Sequence, residues 1–329
     1  MGFLAPVGLL LCCWLWFTLL PLRWQNPRLA GPDAALRRAC RAAARGHWEP
    51  AARLFEDVGQ DWERRALYAE RLGSLAAEKG DLWLKAWQEA RPEDSDVALV
   101  MARTRVNYAW KLRGGAFARF TSDSQFEGFH RELVASQNDI DRASALGPDD
   151  PTPLVAEIWR ALGLGYSHEE MESLWSDITA RAPHHYEAHY SALQYWTAKW
   201  RGSHQLVQGF AAKAAADAPA GSLLAMMPLI AWFENHRSEP AAYPFHSSRA
   251  RALVDAALAD VAIADPAHPR LPEARHLLGY FLYRQGQYRA ARDQFRHVDG
   301  FTHALPWRYS VPWLHYRLVR TKTARKALM

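Results

Sequence analysis

Cysteine is scarce in this chain: three in 329 residues, Cys12, Cys13 and Cys40, the first two adjacent in an apolar run. That spacing excludes a disulfide framework and a thiolate zinc site. The body therefore reads as cytosolic or indifferent to redox compartment. Alternating β-branched runs are also missing, which removes the usual signature of strands. Nucleotide and hydrolase motifs are absent too. Arg113-Gly-Gly-Ala116 has no following Gly-Lys-Ser/Thr, and no Gly-x-Ser-x-Gly elbow occurs. No nucleophile and base stand in a recognisable pattern, so no catalytic or cofactor-binding residue is assigned.

Acidic residues are unevenly missing. The first 45 residues hold six arginines against Asp33 alone, and six Arg and Lys follow Asp299 with no acid among them. The two ends thus carry +5 and +6 in a chain of net +5, which leaves the middle acidic. Basic ends suit anionic lipid or an acidic partner, with a solubilising rim as the plain alternative. Because the basic groups are not interleaved along a stripe, nucleic acid is not expected as a partner despite a pI near 9.1.

Aromatics and apolar residues are plentiful: Trp 15, Tyr 12 and Phe 13, within 49% apolar content. So many large side chains are incompatible with a solvated coil. The first 24 residues stand apart as a candidate membrane anchor. Phe3 to Leu22 carries no charge over 20 residues, enough for a helix to span a bilayer. No basic residue precedes it and no small-x-small cleavage site follows, so it reads as an uncleaved anchor. A signal peptide or a buried apolar helix are the alternatives. Since Arg23 and the other basic residues follow the span, the body is placed in the cytoplasm, tethered or, alternatively, free.

From residue 33 to 329 the apolar spacing is three and four, which predicts helix after helix. Segments fall at 33–45, 48–58, 62–79, 81–91, 95–113, 123–146, 152–164, 169–181, 185–200, 203–217, 222–236, 247–264, 271–285, 287–298 and 312–326. Gly46, Gly80-Asp81, Gly147-Pro148, Ala182-Pro183, Ala218-Pro219 and Asp265-Pro266 punctuate them. The fold class is therefore all-α. Stacked helical hairpins are the expected arrangement, and an irregular bundle is its competitor.

One sparse pattern occurs twice, 240 residues apart. Gly46, Trp48, Ala51 and Phe55 match Gly286, Tyr288, Ala291 and Phe295. With Leu278-Gly279 and Leu282 before it, the second copy resembles a tetratricopeptide repeat, a 34-residue helix–turn–helix unit. Leu36–Val58 resembles the same unit, and His185 to Pro219, with Gly202, Ala214 and Pro219, is a weaker third copy. More narrowly, Tyr186 to Ser222 resembles a bacterial family of unknown function with a Trp-x-Gly-Ser turn, here Trp200-Arg-Gly-Ser203, before an alanine-rich helix.

The resemblance implies an α-solenoid whose first helices line a concave groove that accepts peptides. Carried onto the last copy, the groove positions are Glu273, His276, Tyr280, Tyr283 and Arg284. In the third copy they are His189, Trp196 and Trp200. The expected function is a non-catalytic scaffold that binds a protein or peptide partner. The alternative is a helical enzyme or metal protein using the His184–His189 region, where His185 and His189 share a helix face. The acidic clusters at His168-Glu-Glu170, Asp139 with Asp141, and Asp149-Asp150 read as helix starts, solvated faces and turns. The basic stretch 312–326 reads as a capping helix or one that lies on a membrane.

Overall fold

The computed structural model of the chain describes residues 25–114 and 122–328, with Gly8 alone before them. The expected anchor at 3–22 thus lies outside the described residues. Among the described residues the fold is all-helical, and no helix is long and apolar enough to cross a membrane. The helices are α1 (Ala34–Ala43), α2 (Glu49–Val58), α3 (Trp62–Lys79), α4 (Leu82–Ala90), α5 (Ser95–Arg113), α6 (Asp123–Leu146), α7 (Thr152–Leu164) and α8 (His168–Arg181). Then follow α9 (Tyr186–Tyr195), α10 (His204–Ala216), α11 (Met227–Ser238), α12 (Ser248–Ile263), α13 (Leu271–Arg284), α14 (Tyr288–Val298) and α15 (Pro312–Lys326).

Two of these differ in kind from the sequence expectation. The segment at 185–200 stops at Tyr195, and the segment at 222–236 opens with a 3-10 turn, Leu224–Met226. Elsewhere the stops follow local chemistry. Asp61, Ser122, Ser167, Ser203 and Ser247 each accept a backbone N–H in the first turn of the helix they precede. Gly46 and Gly286 sit at φ of +94° and +77°, a conformation that side chains with a Cβ resist.

The chain forms two compact units. The first is Ala34–Met227. Within it α3, α5, α7 and α9 pack in succession, each against the next. Gly73 of α3 permits close approach to α5, since a Cβ there would stand 3.1 Å from the Thr104 amide nitrogen. The N-terminal ends of these four helices are knit by polar contacts. Arg65 donates to Asp96 at 2.6 Å and to Asp150 at 3.0 Å, and His185 and Tyr186 bond to Trp62 and Glu63. Burial pushes the Asp96 carboxyl up, against the pull of Arg65.

The second unit gathers the described part of Met1–Asp33 with Pro228–Met329. Here α13 and α14 form the hairpin that carries the repeated pattern. Ala291 and Phe295 are buried against α13, and a Cβ at Gly279 would stand 2.5 Å from the Phe295 ring. In the first unit Ala51 and Phe55 are buried likewise, and Trp48 stacks on Trp87. The pattern is thus a packing device: a turn glycine, a small residue at the crossing, and a ring that fills the core.

Within the second unit, residues 25–31 are held against its later part. Asn26 N–H donates to Gly300 O at 2.7 Å, Thr302 N–H to Asn26 O at 2.9 Å, and His303 N–H to Leu29 O at 3.1 Å. A parallel bridge between Asn26 and Phe301 results. Gly31 lies where Pro272 would strike any Cβ.

Candidate functional site

The sequence positions Tyr280, Tyr283 and Arg284 come together on one wall of a groove of about 660 Å³ between α13 and α15. Proline in the first turn starts both helices, at Pro272 and Pro312, where no intrahelical N–H is needed. Tyr280 is nearly buried, its ring edge-on to Phe233, Phe245 and Trp307. Its hydroxyl accepts from Arg284 at 2.9 Å, and the Arg284 guanidinium lies 4.2 Å over the Phe245 ring. An arginine so stacked and hydrogen-bonded is presented in a fixed orientation.

The other wall is α15, through His315, Leu318, Val319, Lys322, Arg325 and Lys326. Lys322 lies 5.7 Å from the Tyr283 ring centre. Among the described residues no carboxylate lines the groove, while Arg284, Lys322, Arg325 and Lys326 do. Burial, with Arg284 nearby, holds the His315 imidazole below its ordinary pKa, so it is neutral at pH 7. The site therefore offers four cations, of which Arg284 is held in place, two tyrosines and a short aliphatic strip. That combination suits an anionic, partly apolar ligand.

The α15 wall was not among the sequence-derived positions. The run of basic residues after Asp299 was the available signal, but α13 and α15 come together only through the fold.

The other groove candidates lie elsewhere. Glu273 is half-buried and accepts from the fully buried Arg270 at 3.0 Å. His276 is fully buried and faces no groove. Its Nδ1 accepts from the Trp307 indole at 3.1 Å, so Nε2 carries the proton and donates to Ala30 O at 2.9 Å. Burial lowers its pKa to about 4.

His189, Trp196 and Trp200 stand in other surroundings. Because α9 ends at Tyr195, the helical spacing that would align them is broken. His189 packs between Trp175 and Phe210, Trp196 against His168, and Trp200 edge-on to Trp110 at 5.3 Å. Trp196 and Trp200 belong to the packing around α7, α8 and α9, and His189 touches two members of it, Trp175 and Phe210.

The His184–His189 region is occupied with backbone. His185 Nδ1 accepts from Ala188 N–H, its Nε2 bonds Trp62 O at 3.1 Å, and His189 Nδ1 bonds His185 O at 2.9 Å. Among the described residues no group of three or more His, Cys, Asp or Glu is placed to hold a metal ion. The Trp-x-Gly-Ser turn has a structural basis. A Cβ at Gly202 would stand 1.8 Å from the Trp196 carbonyl oxygen, and Ser203 caps α10.

A second cavity, about 480 Å³, lies in the first unit beside Tyr108. Its charges neutralise one another, with Arg105 on Asp139 and Glu132, and Lys85 on Asp81. It thus lacks the one-signed field of the α13–α15 groove. Compared with family models, curated proteins and solved structures, the chain matches none.

Proposed function

We propose that this chain is a non-catalytic scaffold of tetratricopeptide-like helical hairpins that binds a protein or peptide partner in the α13–α15 groove. Residues 3–22 tether it to a membrane, with the helical body on the cytoplasmic side. The solenoid reading is supported by the succession α3, α5, α7, α9 and by the twice-written turn, small residue and ring. One observation carries the binding reading: Tyr283, Arg284, Lys322 and Arg325 line a single groove with no carboxylate among the described residues. Preorganised aromatic and arginine groups of this kind concentrate binding energy in few residues.

The test is peptide display against the full chain held in detergent. Peptides rich in acidic and apolar residues should be enriched, and Tyr283→Ala with Lys322→Glu should weaken them by about tenfold or more. Failure to enrich any peptide sensitive to those substitutions would reject the reading.

A further inference from the structure

The α15 helix has a second side, distinct from the groove and half-buried along its middle. Trp313, Arg317, Arg320 and Ala324 recur at spacings of four, three and four, which places them along one side. Leu328 follows in the closing turn. Large apolar groups stand open at both ends of this stripe: Trp313 is 47% exposed and Leu328 81%. Arg317 lies between them, its guanidinium 6.0 Å from the Trp313 ring centre. Water is a poor partner for an exposed tryptophan and leucine, and the stripe has no acid to repel an anionic surface.

The same side of α15 is tied to the place where the apolar run joins the described chain. Arg320 donates to Asp299 at 2.5 Å. The next residue, Gly300, accepts the Asn26 N–H at 2.7 Å. Leu22, the last residue of the uncharged run, precedes Asn26 by four residues, a reach of at most about 14 Å of chain. A run inserted in a bilayer therefore brings Asn26, Asp299 and the Arg320 side of α15 to the membrane surface.

We infer that the Trp313–Arg317–Leu328 face of α15 rests on an anionic lipid surface. Tryptophan settles at the headgroup level, Arg317 meets lipid phosphates, and Leu328 enters the acyl boundary. This rests on the membrane tether and is independent of what the groove binds. Through it the tether becomes an oriented platform, with the second unit held down at two points.

The experiment uses the full chain with p-benzoylphenylalanine at Trp313 and, as a control, at Leu82, which is 79% exposed in the first unit. Each is reconstituted with vesicles of phosphatidylcholine alone or with about 30% phosphatidylglycerol, floated on a gradient and irradiated. Lipid adducts at position 313 should exceed those at position 82 by about fivefold in the anionic vesicles and fall on Arg317→Glu. Chain that floats but labels equally at both positions, or equally in both lipids, overturns the inference alone. Chain that does not float overturns it together with the tether. Cross-links from position 313 to a second copy of the chain, in place of lipid, also overturn it.

Discussion

The indole N–H of Trp307 donates to Nδ1 of His276 at 3.1 Å, which fixes the imidazole as its neutral Nε2 tautomer. Both ring nitrogens are used inside the second unit, the other on Ala30 O. A proton added to Nδ1 would face an N–H donor in a fully buried site. Protonation is thus incompatible with the packed arrangement.

Stability should consequently fall with acid. The His276 pKa is lowered to about 4 in the folded chain, against 6.5 for an unperturbed imidazole. The unfolded chain takes up the proton first, so the contribution is complete above pH 6.5 and is lost as pH falls towards 4. The loss over that window is about 3 kcal/mol. His276→Gln keeps a donor and an acceptor but cannot titrate. It should flatten this part of the profile in urea unfolding at a series of pH values. An unchanged slope would show that other groups govern it.

Arg65 joins three helix starts, through Asp96 and Asp150, with both side chains of the Arg65–Asp150 pair buried. Arg65→Met should cost about 3–5 kcal/mol, because it leaves the buried Asp150 and the partly buried Asp96 without their cation. Adding Asp96→Asn and Asp150→Asn should recover most of the loss. Denaturant midpoints of the single and triple variants test this. A triple variant no more stable than the single one would mean that the arginine's packing against Phe55 and Trp62 matters more than its charge.

Two glycines should respond differently to alanine. At Gly279 the obstacle is the Phe295 ring, a side chain that Phe295→Leu can shrink. Gly279→Ala should cost about 1–3 kcal/mol and be partly rescued by that second change. At Gly202 the obstacle is the Trp196 carbonyl at 1.8 Å, which no side-chain change relieves. Gly202→Ala should cost about 3 kcal/mol or more, read by thermal unfolding. Equal, small effects would refute the stated geometry of the turn.

Lys322→Glu with Arg325→Glu should change stability by less than about 1 kcal/mol, since both side chains are exposed on α15. Their effect should appear in partner binding, which the substitutions weaken, and in the dependence of that binding on salt. A collapse of the thermal transition would instead assign them a structural role.

Helix existence was readable from spacing and punctuation, because both are local. The His189 face shows where local reading ends. Its positions Trp196 and Trp200 align only on an unbroken helix, and the helix stops at Tyr195, where the chain turns back so that Gly202 lies close to the Trp196 carbonyl. His276 shares a helix face with Tyr280 and Tyr283, yet it is covered by Ala30 and Trp307, 246 residues before it and 31 after. The Arg65 cluster spans 85 residues in sequence and has no motif. The groove itself was half legible: one wall lies on the recognised helix, while the other belongs to a helix whose basic run had several plausible uses.

The bonds between residues 26–29 and residues 300–303 also set an order of events during synthesis. Pro27 leaves the ribosome 276 residues before His303, whose ring Nδ1–H donates to the Pro27 carbonyl oxygen at 3.1 Å. Residues 25–33 must wait, without their hydrogen-bond partners, while the whole of Ala34–Met227 is made. The first unit can therefore fold as it emerges, whereas the second can close only after its final helices arrive. A ribosome paused between the two would display one finished unit and an N-terminal segment still seeking its seat.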